Sequence, residues 1–311
     1  MSVLLGGTTA YLQSGVTGLT LSASKPKNFF NRVLAFLDSQ MTEPVPFGWF
    51  HLIFLALTAF ACVFVIYKRK NITEEQLRKV LFITSIVLIV LEIYKQINFA
   101  YNVDEDTWDY VWSAFPFQFC SSPLYIMPLA VVIRRQSLRK RLYAFLGSYC
   151  LVAGLVVMLY PTTVFTTTIG INLQTMVHHG AMIVIAVLLL VAKAFPLNLR
   201  GLGLALPVFL ILCAMAMAIN GLYILLGGSE QSFNMFYISP ASQPPADFLV
   251  TLLEYTPYIV YLLGYLAFFT LGAYLVLLCT RLLHQKCETK REKDAQVEDD
   301  TNAENEKILE E

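Results

Sequence analysis

"WFHLIFLALTAFACVFVIYKRK", residues 49–70, decides the class of fold. From Trp49 to Tyr67 it carries no Lys, Arg, Asp or Glu, and then Lys68, Arg69 and Lys70 follow at once. About 20 predominantly apolar residues in a helix cross the hydrocarbon core of a bilayer. Lys and Arg crowd on the cytoplasmic flank of such a span. The stretch therefore reads as a transmembrane helix whose C-terminal end faces the cytoplasm.

The rest of the chain repeats this pattern. Of 311 residues, 57% are hydrophobic and 14% charged, with a mean hydropathy of +0.60. A soluble domain carries about 25% charged residues. Seven segments qualify as spans: 48–67, 79–101, 115–133, 142–160, 173–194, 202–227 and 255–283. The third and fourth are short or interrupted by polar residues. Lys and Arg gather in the loops 68–79, 134–141 and 195–201 and in the tail after 283. The intervening loops, 102–114, 161–172 and 228–254, hold none, and the first is acidic, with Asp104, Glu105, Asp106 and Asp109. The alternation predicts an all-α, polytopic transmembrane bundle of about seven spans, N-terminus outside and C-terminus cytoplasmic. Lys25, Lys27 and Arg32 oppose that orientation mildly.

Three regions follow. Residues 1–47 read as an irregular and amphipathic segment, with 28–41 as a short helix on the bilayer surface. Residues 48–283 form the bundle. Residues 284–311, densely charged and rich in Glu, form a solvated helix or disordered tail on the cytoplasmic side. The N-terminus lacks the basic region and compact apolar core of a signal peptide. The net charge is zero and points to no nucleic-acid partner. Membrane lipids are the expected surroundings, and the plasma membrane the expected location. Oligomeric state is not legible.

Polar groups inside a bilayer are costly unless paired, so each is a functional candidate. Cys120 lies four residues past Pro116, roughly 6 Å below the outer surface at 1.5 Å of helix rise per residue. His178 and His179 begin span five at a similar depth, and Asn220 precedes the outer end of span six. Span two contributes Glu92, Lys95, Gln96 and Asn98. All fall in the outer half of the membrane. Glu92, Lys95 and Gln96 share one helix face and form either a structural ion pair or part of a site. His178 and His179 differ by about 100° around a helix, which leaves room for one to face a cavity and the other a neighbour. Cys62, Cys150, Cys213 and Cys279 read as packing thiols, and Cys287 as a free thiol past the last span. Gln118 and Cys120 cannot share a face of a regular helix, but Pro116 and Pro123 can distort it.

A thiol beside an imidazole can lose its proton and attack a carbonyl. Cys120 with His178 or His179 thus suggests a nucleophile and base. Gln118, Ser121, Ser122 and Asn220 are candidate oxyanion donors or substrate contacts, together with Glu92 and Lys95. A zinc site is disfavoured, because adjacent His residues rarely reach one metal and no HxxxH occurs; no metal and no cofactor are expected. A retinal-type receptor needs a lysine in span seven, and 255–283 has none. That span carries Tyr255, Tyr258, Tyr261 and Tyr265, suited to an interfacial belt or the wall of a polar cavity. A transporter using Glu92, Lys95 and the histidines, or a non-catalytic structural protein, are the alternatives.

Three motifs carry a resemblance. "AFPFQFCSSPLYIMPLAVV" (114–132), "INLQTMVHHGAMI" (171–183) and "NMFYISPASQPP" (234–245) resemble the Cys-bearing span, the His-bearing span and the outer loop of the YwaF-like integral membrane proteins. Met235 and Phe236 depart from the usual order of that loop. The resemblance runs from about His51 to span seven. The family looks related to the transmembrane protein 164 group, which implies cysteine-dependent acyl transfer on ether phospholipids. On that resemblance Cys120 would accept the acyl chain, and His178 or His179 would be the base, with His178 preferred.

Overall fold

The computed structural model describes residues 29–68, 72–102, 105, 107–229, 233–242 and 247–310. The expectations for 1–28, including Lys25 and Lys27, and for Arg69, Lys70, Asp104 and Asp106 lie outside the described residues. The described chain is helical: α1 Phe29–Leu37, α2 Trp49–Lys68, α3 Glu74–Ala100, α4 Pro123–Val132, α5 Gln136–Gly147, α6 Tyr149–Leu159, α7 Ile169–Val191, α8 Leu199–Leu225, α9 Asp247–Tyr255 and α10 Tyr258–Glu310. Its one small sheet pairs β1 Tyr101–Asn102 with β2 Thr107–Trp108, antiparallel, at the acidic end of the bundle.

Local chemistry sets several boundaries. Thr73 caps α3 by accepting from the Gln76 N–H at 3.2 Å, while the Gln76 side chain accepts from the Thr73 N–H at 2.9 Å. This reciprocal pair satisfies two orphan donors at the helix start. Glu74 and Glu75 in the first turn complement the helix dipole there. Pro123 opens α4, where its missing N–H costs nothing.

Among the described residues, six helical stretches are long and apolar enough to cross a membrane: α2, α3, α5 with α6, α7, α8, and α10 as far as Lys290. The third expected span is different. Over 115–133 the chain makes an irregular stretch, a 3-10 turn at Phe119–Ser121 and the ten-residue helix α4. Ten residues of helix rise only about 15 Å. Pro116 and Pro123 deny this segment the donors of a regular span. The fourth span is broken at Ser148, whose φ −122° and ψ −70° separate α5 from α6. The amphipathic stretch 28–41 contains α1, and the charged tail continues α10 as helix.

Burial separates the centre from the rim. In the apolar windows of α5–α6 and α7, 78% and 72% of residues are buried, against 11% in α2 and 11% in α10. Central α7 packs on α2, α3, α5 and α6, while α8 and α10 close the other side of α5 and α6. Phe119 sits at an aromatic junction, its ring centroid 4.6 Å from Phe269, 5.2 Å from Phe236, 5.5 Å from Phe209 and 6.2 Å from Phe145. Such pairs add about 0.5–1.5 kcal/mol each beyond area burial. The junction fixes the backbone immediately before Cys120.

Candidate functional site

Cys120 is the middle residue of the 3-10 turn that precedes α4. A turn of this kind, not a helix, lets Gln118, Phe119 and Cys120 point in directions that a regular span would forbid. Cys120 is half-buried. Ser121 and Ser122 beside it are buried, and the Ser122 hydroxyl lies 3.6 Å from the Cys150 thiol.

His178 reaches this turn from α7. Its Nε2 lies 2.8 Å from the Cys120 backbone oxygen. A carbonyl oxygen can only accept, so Nε2 carries the proton and donates. The lone pair is then on Nδ1, which is buried and meets no partner. His179 is the mirror case: Nδ1 donates to the Thr175 backbone oxygen at 2.7 Å, leaving a buried, unpartnered Nε2. The two rings are 5.4 Å apart. Buried polar atoms without partners are rare in folded proteins and ask for an explanation. Here two lie on adjacent imidazoles, one of which is bonded to the residue that bears the thiol.

Gln118 and Asn220 have other work. Gln118 Nε2 donates to the Asn234 oxygen at 3.0 Å, and its Oε1 accepts from the Phe236 N–H at 3.0 Å. Asn220 donates to the Met235 oxygen at 3.0 Å and accepts from the Met235 N–H at 2.7 Å. Both amides therefore clamp one strap of backbone, residues 233–242, onto the third segment and α8. Tyr258 and Tyr261 donate to the Ile238 and Tyr237 oxygens at 2.6 and 2.7 Å from the other side. Phe236 stacks on Phe117 and Phe119. Phe236 and Tyr237 hold φ of 59° and 57°, a left-handed conformation that residues with a Cβ seldom adopt. The strap's contacts on three sides hold it there.

Glu92 and Lys95 form a 2.8 Å ion pair. Gln96 donates to Glu92 at 2.7 Å and to the Ala114 oxygen at 2.7 Å, and accepts from the Tyr110 hydroxyl at 2.8 Å. Burial, and then the Glu92 carboxylate, push the Tyr110 phenol above its ordinary range, so Tyr110 stays a neutral donor. The cluster pairs internally and ties the 102–114 loop to α3. It still acts electrostatically on both Cys120 and His178.

The fold thus gathers Cys120, His178, His179, Glu92 and Lys95 within one polar region, and brings in Gln118 and Asn220 through the strap. Sequence reasoning passes over one of two neighbours, Tyr237. Tyr237 and Tyr265 lie within electrostatic range of Cys120; only Tyr265 is legible as a candidate cavity wall, from its place in span seven. Fully buried His51 was also passed over. Its Nδ1 accepts from the Phe47 N–H at 2.9 Å and its Nε2 donates to the Met158 oxygen at 2.8 Å, so both nitrogens are satisfied. That contrast sharpens the status of His178 and His179. No group of three or more His, Cys, Asp or Glu side chains suited to a metal occurs among the described residues.

A family model described as the TMEM164 family matches residues 46–278. No curated protein and no solved structure matches the chain.

Proposed function

The chain belongs to the TMEM164 family, and from that premise we propose that it is a cysteine-dependent acyltransferase or hydrolase acting on membrane phospholipids. The observation that carries the reading is the 2.8 Å bond from His178 Nε2 to the Cys120 backbone oxygen. It holds the imidazole against the backbone of the residue that bears the thiol and leaves the Nδ1 lone pair of His178 free to take a proton. His178 takes the thiol proton, and Cys120 Sγ attacks the ester carbonyl of a phospholipid. The S–C bond forms, the ester C–O bond breaks, and His178 returns the proton to the departing glycerol oxygen. The thioester then passes its acyl group to the hydroxyl of a lysophospholipid, or to water. The hydroxyls of Ser121 and Ser122 are the candidate oxyanion donors, since the amides of Gln118 and Asn220 are committed to the strap. Glu92 and Lys95 set the local field and position α3. The proposed setting is the plasma membrane, with the site in the outer leaflet, as the charge alternation predicts.

The transporter alternative draws little support from the Glu92–Lys95–Gln96 cluster, whose partners are one another and the adjoining loop. The test is turnover by purified protein in phospholipid vesicles supplied with lysophospholipid, following both acyl transfer and fatty-acid release. Cys120→Ser abolishes both activities. His178→Ala lowers them by about 10²–10⁴-fold, the contribution of a positioned general base. Full activity in Cys120→Ser refutes the proposal.

A further inference from the structure

The opposite, basic end of the bundle holds a cleft of about 440 Å³ that the acyl chemistry does not involve. Its walls come from three separate places: Lys140 near the start of α5, the 193–197 turn between α7 and α8, and Arg281 with Glu288 on α10. Ligand sites typically measure about 300–1,000 Å³.

The turn that forms the floor is built with unusual care. A methyl group at Gly147 would overlap the Phe195 ring, and one at Gly201 would overlap the Pro196 oxygen. Both positions admit the turn only because they lack a Cβ. Lys193, which opens it, holds a φ of 50°. It is the left-handed residue of the cap that ends α7, with the Lys193 N–H bonded to the Leu190 oxygen and the Ala194 N–H to the Leu189 oxygen, both at 3.1 Å. From this cap Lys193 reaches Glu288 on α10, at 2.6 Å.

That ion pair uses the cleft's one acidic side chain. Lys140 and Arg281 also line the cleft, and neither has an ion pair or hydrogen bond among the described residues. Two cations therefore converge on a concave site whose only carboxylate is taken. The floor beneath them, Phe195 and Pro196, is apolar, and the level is that of the helix ends, where α7 leaves the membrane-spanning register. A guanidinium fork and an ammonium suit phosphate oxygens. An apolar floor at the membrane boundary suits the glycerol and first methylenes of a lipid. Basic pockets between transmembrane helices are known to take anionic head groups.

We infer that the Lys140–Lys193–Arg281 cleft binds the phosphate head group of an anionic phospholipid, as a site separate from the Cys120 region. The ordinary excess of Lys and Arg at one membrane face needs no cleft. Arg134 and Arg135, exposed at the same end and outside the cleft lining, provide the matched control.

The experiment measures binding of dioctanoyl phosphatidylglycerol to the full chain in neutral detergent by native mass spectrometry. Dioctanoyl phosphatidylcholine and glycerol phosphate serve as separate arms. One phosphatidylglycerol is retained in preference to phosphatidylcholine, and excess glycerol phosphate does not displace it. Lys140→Ala/Arg281→Ala weakens retention roughly thirtyfold, at the per-charge contribution of basic side chains near anionic lipid. The milder Lys140→Gln/Arg281→Gln shows the same loss in protein of unchanged elution volume. Arg134→Ala/Arg135→Ala leaves binding unaltered. Equal loss in that control pair, or ready displacement by glycerol phosphate, overturns the inference.

Discussion

At the scale of single residues, Gln118 shows how the Cys120 region is held. Its amide has one donor and one acceptor aimed at the same strap, on Asn234 and Phe236. Phe236 is buried and at φ 59°, so its N–H has no easy alternative partner. Leaving such a donor unpaired costs about 1–3 kcal/mol. In Gln118→Ala the Phe236 amide should exchange with deuterium on the order of tenfold faster or more. Gln118→Glu keeps the acceptor for that amide and should protect it. Unchanged exchange in the alanine variant would mean that the clamp does not hold the strap. The residue types of the site are legible in the sequence: a thiol, two histidines and several amides at one membrane depth. Which amide serves chemistry and which serves architecture is not legible. Gln118 and Asn220 read as oxyanion donors until the strap's backbone is placed beside them. Nor does the sequence say that His51 has both nitrogens bonded while His178 has one free.

At the scale of elements, apolar run length gives α2, α3, α7 and α8 nearly as they are, and the first half of α10, which continues as helix to Glu310. It fails where the backbone changes without a change of polarity. Tyr149 and Cys150 follow Ser148 in an apolar stretch, so the break between α5 and α6 leaves no mark in hydropathy. The third span fails for a different reason. Pro116 and Pro123 announce distortion, but hydropathy cannot say that the outer part becomes an irregular stretch and a 3-10 turn. Close approach of elements is also hidden. Tyr94 on α3 donates to the Leu37 oxygen at the end of α1, at 2.6 Å, and a methyl at Gly170 would overlap the Tyr94 hydroxyl. Gly170→Ala should therefore displace Tyr94, loosen α1 and lower stability by about 1–3 kcal/mol, the cost of overpacking. Removing the obstructing hydroxyl in Gly170→Ala/Tyr94→Phe should recover part of the loss, as a Tm series in detergent would show. Wild-type stability in the single variant would contradict this packing.

At the scale of the whole molecule, the alternation of basic and acidic loops divides the bundle into two ends with different chemistry. The acidic end carries the thiol, the two unsatisfied imidazoles and the strap clamped by Gln118 and Asn220. The basic end carries the cleft lined by Lys140 and Arg281. Both arrangements depend on the central position of α7, which presents His178 to the third segment at one end and leads into the Lys193 turn at the other. A short, proline-bounded segment can replace a full span because its irregular backbone lies against protein, where lipid-exposed backbone would be untenable.

The most direct measurement is the mass of the Cys120 peptide after the full chain is incubated with a phospholipid bearing an isotopically labelled acyl chain and quenched in acid. An added acyl mass on Cys120, removed by hydroxylamine and retained longer when no lysophospholipid is supplied, is the predicted result. Labelled product formed at the wild-type rate with no adduct on Cys120, or with the acyl group on Cys287, would contradict the account.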